Sequence, residues 1–160
     1  MINNKDLQWL KLCHSGSEIF SSCGKRKYFC LIVNSNNQIV GQGYNGVPSG
    51  MRHCEDGGCP RFINNVPHGT PYDYGDGLCY SSHAEQNALA RSNSLEFPNS
   101  TLYVNGFPCL TCAKQIASAG IKKIVIIEDN YRLDMEVASK FLSDAGVQLI
   151  EVQLESFKGK

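Results

Sequence analysis

The regular alternation of short apolar segments with helix-length segments in the second half of the chain is the feature that most limits its fold. Glycines follow the last two predicted helices, at the position where helices commonly end. Strands that alternate with helices of this length predict an α/β sheet flanked by helices, with parallel neighbouring strands in this half. The predicted strands are Thr101 to Asn105, Lys123 to Ile127 and Val147 to Val152, and the predicted helices are Ser82 to Arg91, Cys109 to Ala119 and Met135 to Ala145.

The first half of the chain predicts a different local order. Residues 5 to 21 carry apolar side chains at helical spacing, and residues 28–33 and 38–43 predict two strands of an antiparallel hairpin. From Asn45 to Ser81 the chain is rich in Gly, Pro, Asp and Cys and shows no sustained period. A loop of this length is usually functional or held by a cross-link. Because no repeat or linker divides the chain, we expect one domain over residues 1–160.

The charge balance excludes several classes of partner. Lys plus Arg and Asp plus Glu number 15 each, so the net charge is zero. Broad binding to a nucleic acid polymer or to an anionic membrane needs a basic excess. The apolar runs are too short to span a bilayer, and the first residues lack a signal-peptide pattern, so we expect a cytoplasmic protein.

Eight cysteines in 160 residues is a high number. In a reducing compartment metal binding explains them better than disulfides do. Cys30 lies in an apolar run and Cys13 in the first predicted helix, and we expect both to be ordinary core residues. We assign His14 no role and expect it to be exposed on that helix.

Two short motifs carry the predicted chemistry, His83-Ala84-Glu85 and Pro108-Cys109-Leu110-Thr111-Cys112. Each lies at the start of a predicted helix, and residues three apart on a helix point the same way. The helix dipole favours the thiolate forms of Cys109 and Cys112. Two thiolates and one imidazole, from His83, form a three-ligand zinc site with an open fourth position, where a bound water loses its proton more readily.

Glu85 suits proton transfer better than metal binding. If His83 is the first helical residue and the zinc lies beyond the helix end, Glu85 reaches the bound water from the first turn. It would take a proton from that water, deliver it to a ring nitrogen and later protonate departing ammonia. The alternative, a closed structural zinc knuckle, needs four Cys or His ligands and a second close pair near His83. The sequence has no such pair; Cys79 is the nearest candidate.

These motifs, with a strand between them, carry the H-x-E and P-C-x-x-C signature of zinc nucleobase deaminases. The chain also contains the segments Gly43–Gly50, His83–Leu89 and Ala119–Lys123, through which it resembles the deoxycytidylate (dCMP) deaminase branch of the cytidine deaminase superfamily. The resemblance implies a three-layer α/β/α cytidine-deaminase-like fold with a mixed five-stranded sheet. It implies hydrolysis of dCMP to dUMP and ammonia, which supplies dUMP for thymidylate synthesis. It also implies a homohexamer activated by dCTP and inhibited by dTTP.

The resemblance further implies three residues that read the nucleotide. Asn45 would contact the sugar or phosphate side, Tyr131 would close over the substrate, and Arg132 beside it would grip the phosphate. Alternatives remain open: an Asn-Gly turn without a ligand, and an exposed loop around residues 129–132. The basic run at residues 25–27 is another candidate for the phosphate or a solvated turn.

One segment departs from the family pattern, Asn105-Gly106-Phe107 before the Pro-Cys motif. Residues here line the base pocket in relatives, and the small Gly106 is expected to widen that pocket. A substrate with a larger phosphate tail, such as dCTP, or a modified cytosine is therefore an alternative to dCMP.

A second, structural zinc would order the long loop, because four thiolates close a tetrahedral site. In some relatives a structural zinc takes its ligands from this region. The alternative is a set of free thiols on the loop. The predicted ligands are Cys23, Cys54, Cys59 and Cys79, with His53 or His68 as replacements.

Two other functions compete with dCMP deamination. A tRNA or polynucleotide deaminase shares both motifs but needs a basic surface. A non-catalytic nucleotide sensor of the same fold has no need of the Glu85 carboxylate. Zero net charge disfavours the first alternative, and the intact Glu85 disfavours the second.

Overall fold

The structure is a computed structural model of the chain and describes residues 2–67, 69–128 and 135–153. The strands are β1, Phe29–Val33; β2, Ile39–Tyr44; β3, Thr101–Val104; β4, Lys123–Ile127; and β5, Gln148–Val152. The helices are α1, Asn4–Phe20; α2, Pro60–Ile63; α3, Ala84–Ala90; α4, Leu110–Ser118; and α5, Met135–Asp144. Short turns of other helical types cover Cys54–Gly58, Gly75–Gly77 and Ser94–Asn99.

The five strands form one mixed sheet in the order β2-β1-β3-β4-β5. β1 pairs antiparallel with β2 and with β3, whereas β3, β4 and β5 run parallel. The predicted hairpin and the predicted parallel half are therefore both confirmed. The predicted loop over residues 45–81 contains the small helix α2 and two turns, and its described residues form no strand beyond the single bridge between Gly46 and Ser82.

Alternate residues of the central strands face two separate hydrophobic cores. On one face Ile32, Leu102, Ile124 and neighbouring side chains pack against α3, α4 and α5. On the other face Leu31, Tyr103 and Val125 pack against α1 through Leu10 and Cys13. Helices thus cover both faces, and the three-layer α/β/α fold is confirmed.

The two cysteines predicted to be ordinary core residues do lie in the cores. Cys13 and Cys30 are both fully buried, one in each core. None of the eight cysteines is in a disulfide. Within the described ranges, no helix is both long enough and apolar enough to cross a membrane. The prediction of a single domain over residues 1–160 stays a prediction.

Candidate active site

His83 stands immediately before α3 and is fixed by contacts on both sides. Ser82, the residue before it, exchanges two backbone hydrogen bonds with Gly46 at the end of the β2 segment. The N–H of His83 donates to Oε1 of Gln86, one turn into the helix, at 2.9 Å. His83 therefore has extended backbone, which directs its side chain beyond the helix start. This is the position that the sequence predicts for a metal ligand.

The two thiols come from the first turn of α4, directly after the loop that follows β3. Cys109 precedes the helix, and its Sγ accepts a hydrogen bond from the Cys112 N–H at 3.4 Å. The hydrogen bond from the Cys112 thiol, together with the nearby His83 ring, lowers the pKa of Cys109 to about 3 despite its burial. The pKa of Cys112 is raised, chiefly by its hydrogen bond to Cys109 and by burial.

His83, Cys109 and Cys112 form a triangle of metal-ligand dimensions. Nδ1 of His83 lies 3.4 Å from each of the two Sγ atoms. Tetrahedral zinc with ordinary Zn–N and Zn–S bonds would hold such atoms about 3.5 Å apart. Over the described parts of the chain, this is the one group of three His, Cys, Asp or Glu ligand atoms that all lie within 4.8 Å of one another. The donor set and its spacing fit a zinc ion with one open position.

The carboxylate of Glu85 lies in the first turn of α3 beside this triangle. The side chain is buried, with 5% of its surface exposed, and its charge contributes to the raised pKa of Cys112. His83 and Glu85 line the same cavity of about 280 Å³, together with Asn45 and Phe107. A buried carboxylate therefore lines the same cavity as His83, and its part in proton transfer stays a prediction.

Asn45 lies in the wall of this cavity, and most of its amide is already engaged. Its Oδ1 accepts from the Tyr28 N–H at 2.8 Å and from the Ser21 hydroxyl at 2.5 Å. Its Nδ2 donates to the Arg26 carbonyl at 2.7 Å. Both acceptor positions and one N–H thus fasten the segment before β1 to the cavity, and the second N–H is the group left for a ligand.

The expected widening of the pocket at Gly106 is wrong. The ring of Tyr28 packs against Gly106 so closely that a Cβ at this position would overlap it. Tyr28 lines the cavity and takes the volume that a larger residue at 106 would fill. Its hydroxyl lies 3.2 Å from a guanidinium nitrogen of Arg26. At this departure from the family pattern, the Tyr28 ring therefore forms the part of the cavity wall that a larger residue at position 106 would form.

The four cysteines predicted for a structural zinc all line the same cavity, although no three of their Sγ atoms lie within 4.8 Å of one another. The Sγ atoms of Cys59 and Cys79 are 3.7 Å apart. Burial and the neighbouring thiols raise the pKa of Cys54 to about 11, and burial raises that of Cys79 to about 12. Cys23 contributes charge to both of these shifts. Of the predicted replacements, His53 is exposed, and His68 lies outside the described residues.

The remaining predicted contacts are placed only in part. Tyr131 and Arg132 lie outside the described residues. In the basic run, Arg26 lines the cavity, Lys25 donates to the Val66 carbonyl at 2.5 Å, and Lys27 pairs with Glu18.

Two further residues of the cavity wall, Arg61 and Tyr72, have no counterpart in the sequence-based predictions. They lie in the stretch without periodicity, where an Arg or a Tyr carries no local signal.

Comparison with known proteins decides the family. The family model for the cytidine and deoxycytidylate deaminase zinc-binding region matches residues 3–128, which is most of the chain. The chain belongs to this deaminase family. The match covers both zinc motifs, the strands β1 to β4, and the long loop that follows β2.

Several relatives of this chain are named deoxycytidylate deaminase. The protein of Schizosaccharomyces pombe is 39% identical over 130 residues, 81% of this chain, and the human protein is 42% identical over 119 residues, 72% of this chain. The chain spans 38% of the length of the first and 62% of the second. Among solved structures, the dCMP deaminase of cyanophage S-TIM5 superposes with a TM-score of 0.68 at 27% identity, covering 95% of this chain and all of that one. The same phage enzyme has been solved in complex with dCMP and dUMP, and that structure gives a TM-score of 0.67 at 26% identity over 95% of this chain and 99% of that one.

Proposed function

We propose that this protein is a zinc-dependent hydrolase that converts dCMP and water into dUMP and ammonia. The observation that carries the proposal is the triangle of His83, Cys109 and Cys112, since His83 lines the same cavity as the buried Glu85 side chain. Membership of the deaminase family and the named relatives support the choice of substrate. The product would supply dUMP for thymidylate synthesis.

The chemistry divides between the metal and the residues of the chain. When bound by the three ligands, zinc supplies a Lewis acid that lowers the pKa of a water molecule toward neutrality. Glu85 would take one proton of that water and deliver it to a ring nitrogen of the cytosine. It would then take the second proton, from the hydroxyl now on the ring carbon, and pass it to the amino group, which leaves as ammonia. Glu85 is buried, which keeps bulk water away from these proton transfers.

We assign recognition of the nucleotide to Asn45, Tyr131 and Arg132. We assign Asn45 the sugar or phosphate side, through the amide N–H that the protein leaves to a ligand. We assign Tyr131 to closing over the substrate and Arg132 to gripping the phosphate, as the family resemblance implies. The Tyr28 wall against Gly106 favours dCMP over a bulkier or modified cytosine, because it takes up volume at the base end.

Ammonia release from zinc-loaded protein tests this function directly. The substrates are dCMP, dCTP, CMP and deoxycytidine, and the matched variant is Glu85→Gln, which keeps the shape of the side chain but not its basicity. We expect turnover of dCMP and a fall in kcat of about 100-fold or more in the variant. The zinc content should be the same in both proteins, since Glu85 is not a ligand.

Two outcomes would contradict the proposal. Undiminished turnover in Glu85→Gln would remove the proton shuttle. Absence of ammonia from all four substrates, in folded protein that retains zinc, would favour the nucleotide sensor or a polynucleotide substrate. Salt-dependent binding of an oligonucleotide would then distinguish these two.

We further propose a second, structural zinc held by Cys23, Cys54, Cys59 and Cys79. The 3.7 Å between the Sγ atoms of Cys59 and Cys79 supports it, since two thiolates of tetrahedral zinc lie about 3.8 Å apart. Metal analysis should give two zinc ions per chain, and Cys59→Ser should remove one while dCMP turnover persists. One zinc in the native protein and one in Cys59→Ser would overturn this site.

We also propose that the protein assembles as a homohexamer, is activated by dCTP and is inhibited by dTTP, as the family resemblance implies. Light scattering after size exclusion measures the assembly, and initial rates with added dCTP or dTTP measure the regulation. A monomer whose rates ignore both nucleotides would overturn this part and leave the catalytic proposal intact.

A further inference from the structure

The ring of Tyr72 touches the proposed metal ligand His83 from within the irregular loop. The two ring centroids are 5.0 Å apart and the planes are nearly perpendicular, at 84°. Nδ1 of His83 faces both thiols, so the plane of the imidazole decides whether the three ligand atoms converge. Tyr72 is half-buried in the cavity wall, beside the ligand rather than among the ligands.

We propose that Tyr72 is a positioning residue of the metal centre and that Arg61 holds Tyr72 in place. This inference rests on the zinc site proposed above. Edge-to-face contact between aromatic rings is a favourable and directional arrangement. Here it limits rotation of the imidazole about its bond to Cβ, and so keeps Nδ1 directed at the metal position.

Arg61 is the anchor of the loop that carries Tyr72. Its guanidinium, in a side chain that is 6% exposed overall, donates to the carbonyls of Gly77 at 2.7 Å and of Pro67 and Pro71 at 3.2 Å each. The same guanidinium lies over the Tyr72 ring, with its carbon 4.5 Å from the ring centroid. A planar fork of five donors can serve three carbonyls and stack on an aromatic face at once, whereas a lysine cannot.

The loop itself stabilises the buried positive charge of Arg61. A buried cation is normally paired with an acid, but in the described parts of the chain no carboxylate lies within ion-pair distance of Arg61. Carbonyl dipoles and the face of Tyr72 take that role instead. The ring of Tyr72 therefore lies between the Arg61 cation and His83.

The main chain of Tyr72 is fastened as well. Its carbonyl accepts from the Cys79 N–H at 2.8 Å, which closes the loop four residues before His83. Gly77 lies so close to the Pro71 carbonyl that no side chain fits there. Backbone and side chain of Tyr72 are thus both held, which is what a positioning contact requires.

Outer contacts of this kind typically change metal affinity by about 10–100-fold when removed. The test compares the full-length protein with Tyr72→Leu, which removes the ring, and Tyr72→Phe, which keeps it. Tyr74→Leu is the matched control, because Tyr74 lies two residues away in the same loop and is 69% exposed. The readouts are the rate of zinc release to a chelator and the visible absorption of the cobalt(II)-loaded protein. Cys112→Ala identifies which release phase belongs to the His83 site.

We expect Tyr72→Leu to release the zinc of that phase about 10–100-fold faster and to alter the cobalt spectrum. Tyr72→Phe and Tyr74→Leu should match the native protein in both readouts. Arg61→Lys, which keeps the charge but not the fork, should accelerate the same phase about tenfold and serves as the test if Tyr72→Leu does not fold. Native release rates and a native spectrum in folded Tyr72→Leu or in Arg61→Lys would overturn the inference alone. Absence of any phase lost in Cys112→Ala would overturn the zinc site and the inference together.

Discussion

Gly106 and Tyr28 show how a single residue without a side chain defines a wall of the cavity. The glycine follows β3, and the tyrosine precedes β1, so the two lie at the same end of adjacent strands. Because the ring occupies the space beside Gly106, a substitution at either position reshapes the same part of the cavity. The two residues are therefore expected to be coupled in stability and in substrate binding.

Gly106→Ala should lower the free energy of unfolding by about 1–3 kcal/mol, because the added Cβ would overlap the Tyr28 ring and displace it. The displaced ring would also raise the KM for dCMP more than it lowers kcat, since the metal ligands are not touched. Urea denaturation and steady-state kinetics measure the two effects. Adding Tyr28→Leu to Gly106→Ala should restore part of the stability. Unchanged stability and KM in Gly106→Ala would contradict this view of the wall.

At the scale of elements, a small buried polar network attaches α1 to the sheet. Asp6, in the first turn of α1, accepts from the Tyr103 hydroxyl of β3 at 2.7 Å and from Nζ of Lys123 in β4 at 3.2 Å. It also accepts from the Asn3 N–H at 3.1 Å, as part of a capping box. The Asp6 carboxylate thus helps to cap the start of α1 and joins this helix to β3 and β4.

This network predicts a pH-dependent contribution to stability. Burial alone would raise the pKa of Asp6, but the bonds from Tyr103, Asn3 and Lys123 hold it below its ordinary value of 3.8. A depressed folded-state pKa gives stability that is complete above the unfolded pKa and is lost as the pH falls through the folded one. Asp6→Ala should therefore cost about 1–3 kcal/mol at pH 7. The cost should shrink below about pH 4.

Thermal unfolding between pH 3 and pH 7 measures the effect of Asp6→Ala. The control is Asp144→Ala, since Asp144 forms an exposed pair with Lys140 at 2.6 Å and should matter by less than about 0.5 kcal/mol. A difference between Asp6→Ala and the native protein that stays constant down to pH 3 would contradict the assigned role.

Elements built on a repeating apolar pattern could be predicted from the sequence, and the others could not. The predicted strand Lys123–Ile127 has the same bounds as β4. It could be predicted because a buried parallel strand is a nearly continuous apolar segment. The motif residues His83, Cys109 and Cys112 were placed together for the same reason, since each motif begins a periodic helix. The turn Ser94–Asn99 and the contacts of Arg61 were not predicted. They depend on partners distant in sequence or on caps, and a local pattern does not encode them.

At the scale of the whole molecule, the sheet and the long loop are stabilised in different ways. Within the described residues, none between 46 and 82 belongs to either hydrophobic core. Among the described residues of that stretch, the buried side chains are Cys54, Cys59, Arg61, Val66 and Ser81, and Val66 is the one aliphatic side chain among them. The loop that forms one side of the cavity therefore depends on polar cross-links, whereas the sheet depends on apolar burial.

Removal of zinc should consequently loosen the loop and spare the sheet. With both proposed metal ions extracted by a chelator at pH 7, amide hydrogen exchange in residues 45–81 should accelerate, while β1, β3 and β4 keep their protection. Two single-site variants separate the contributions. Cys59→Ser should loosen the loop while the His83 site stays loaded, and Cys112→Ala should empty that site while most of the loop keeps its protection. Equal loss of protection in loop and sheet would show that the metal ions support the whole fold. An unchanged loop would show that Arg61 and the hydrogen bonds of the backbone hold it without them.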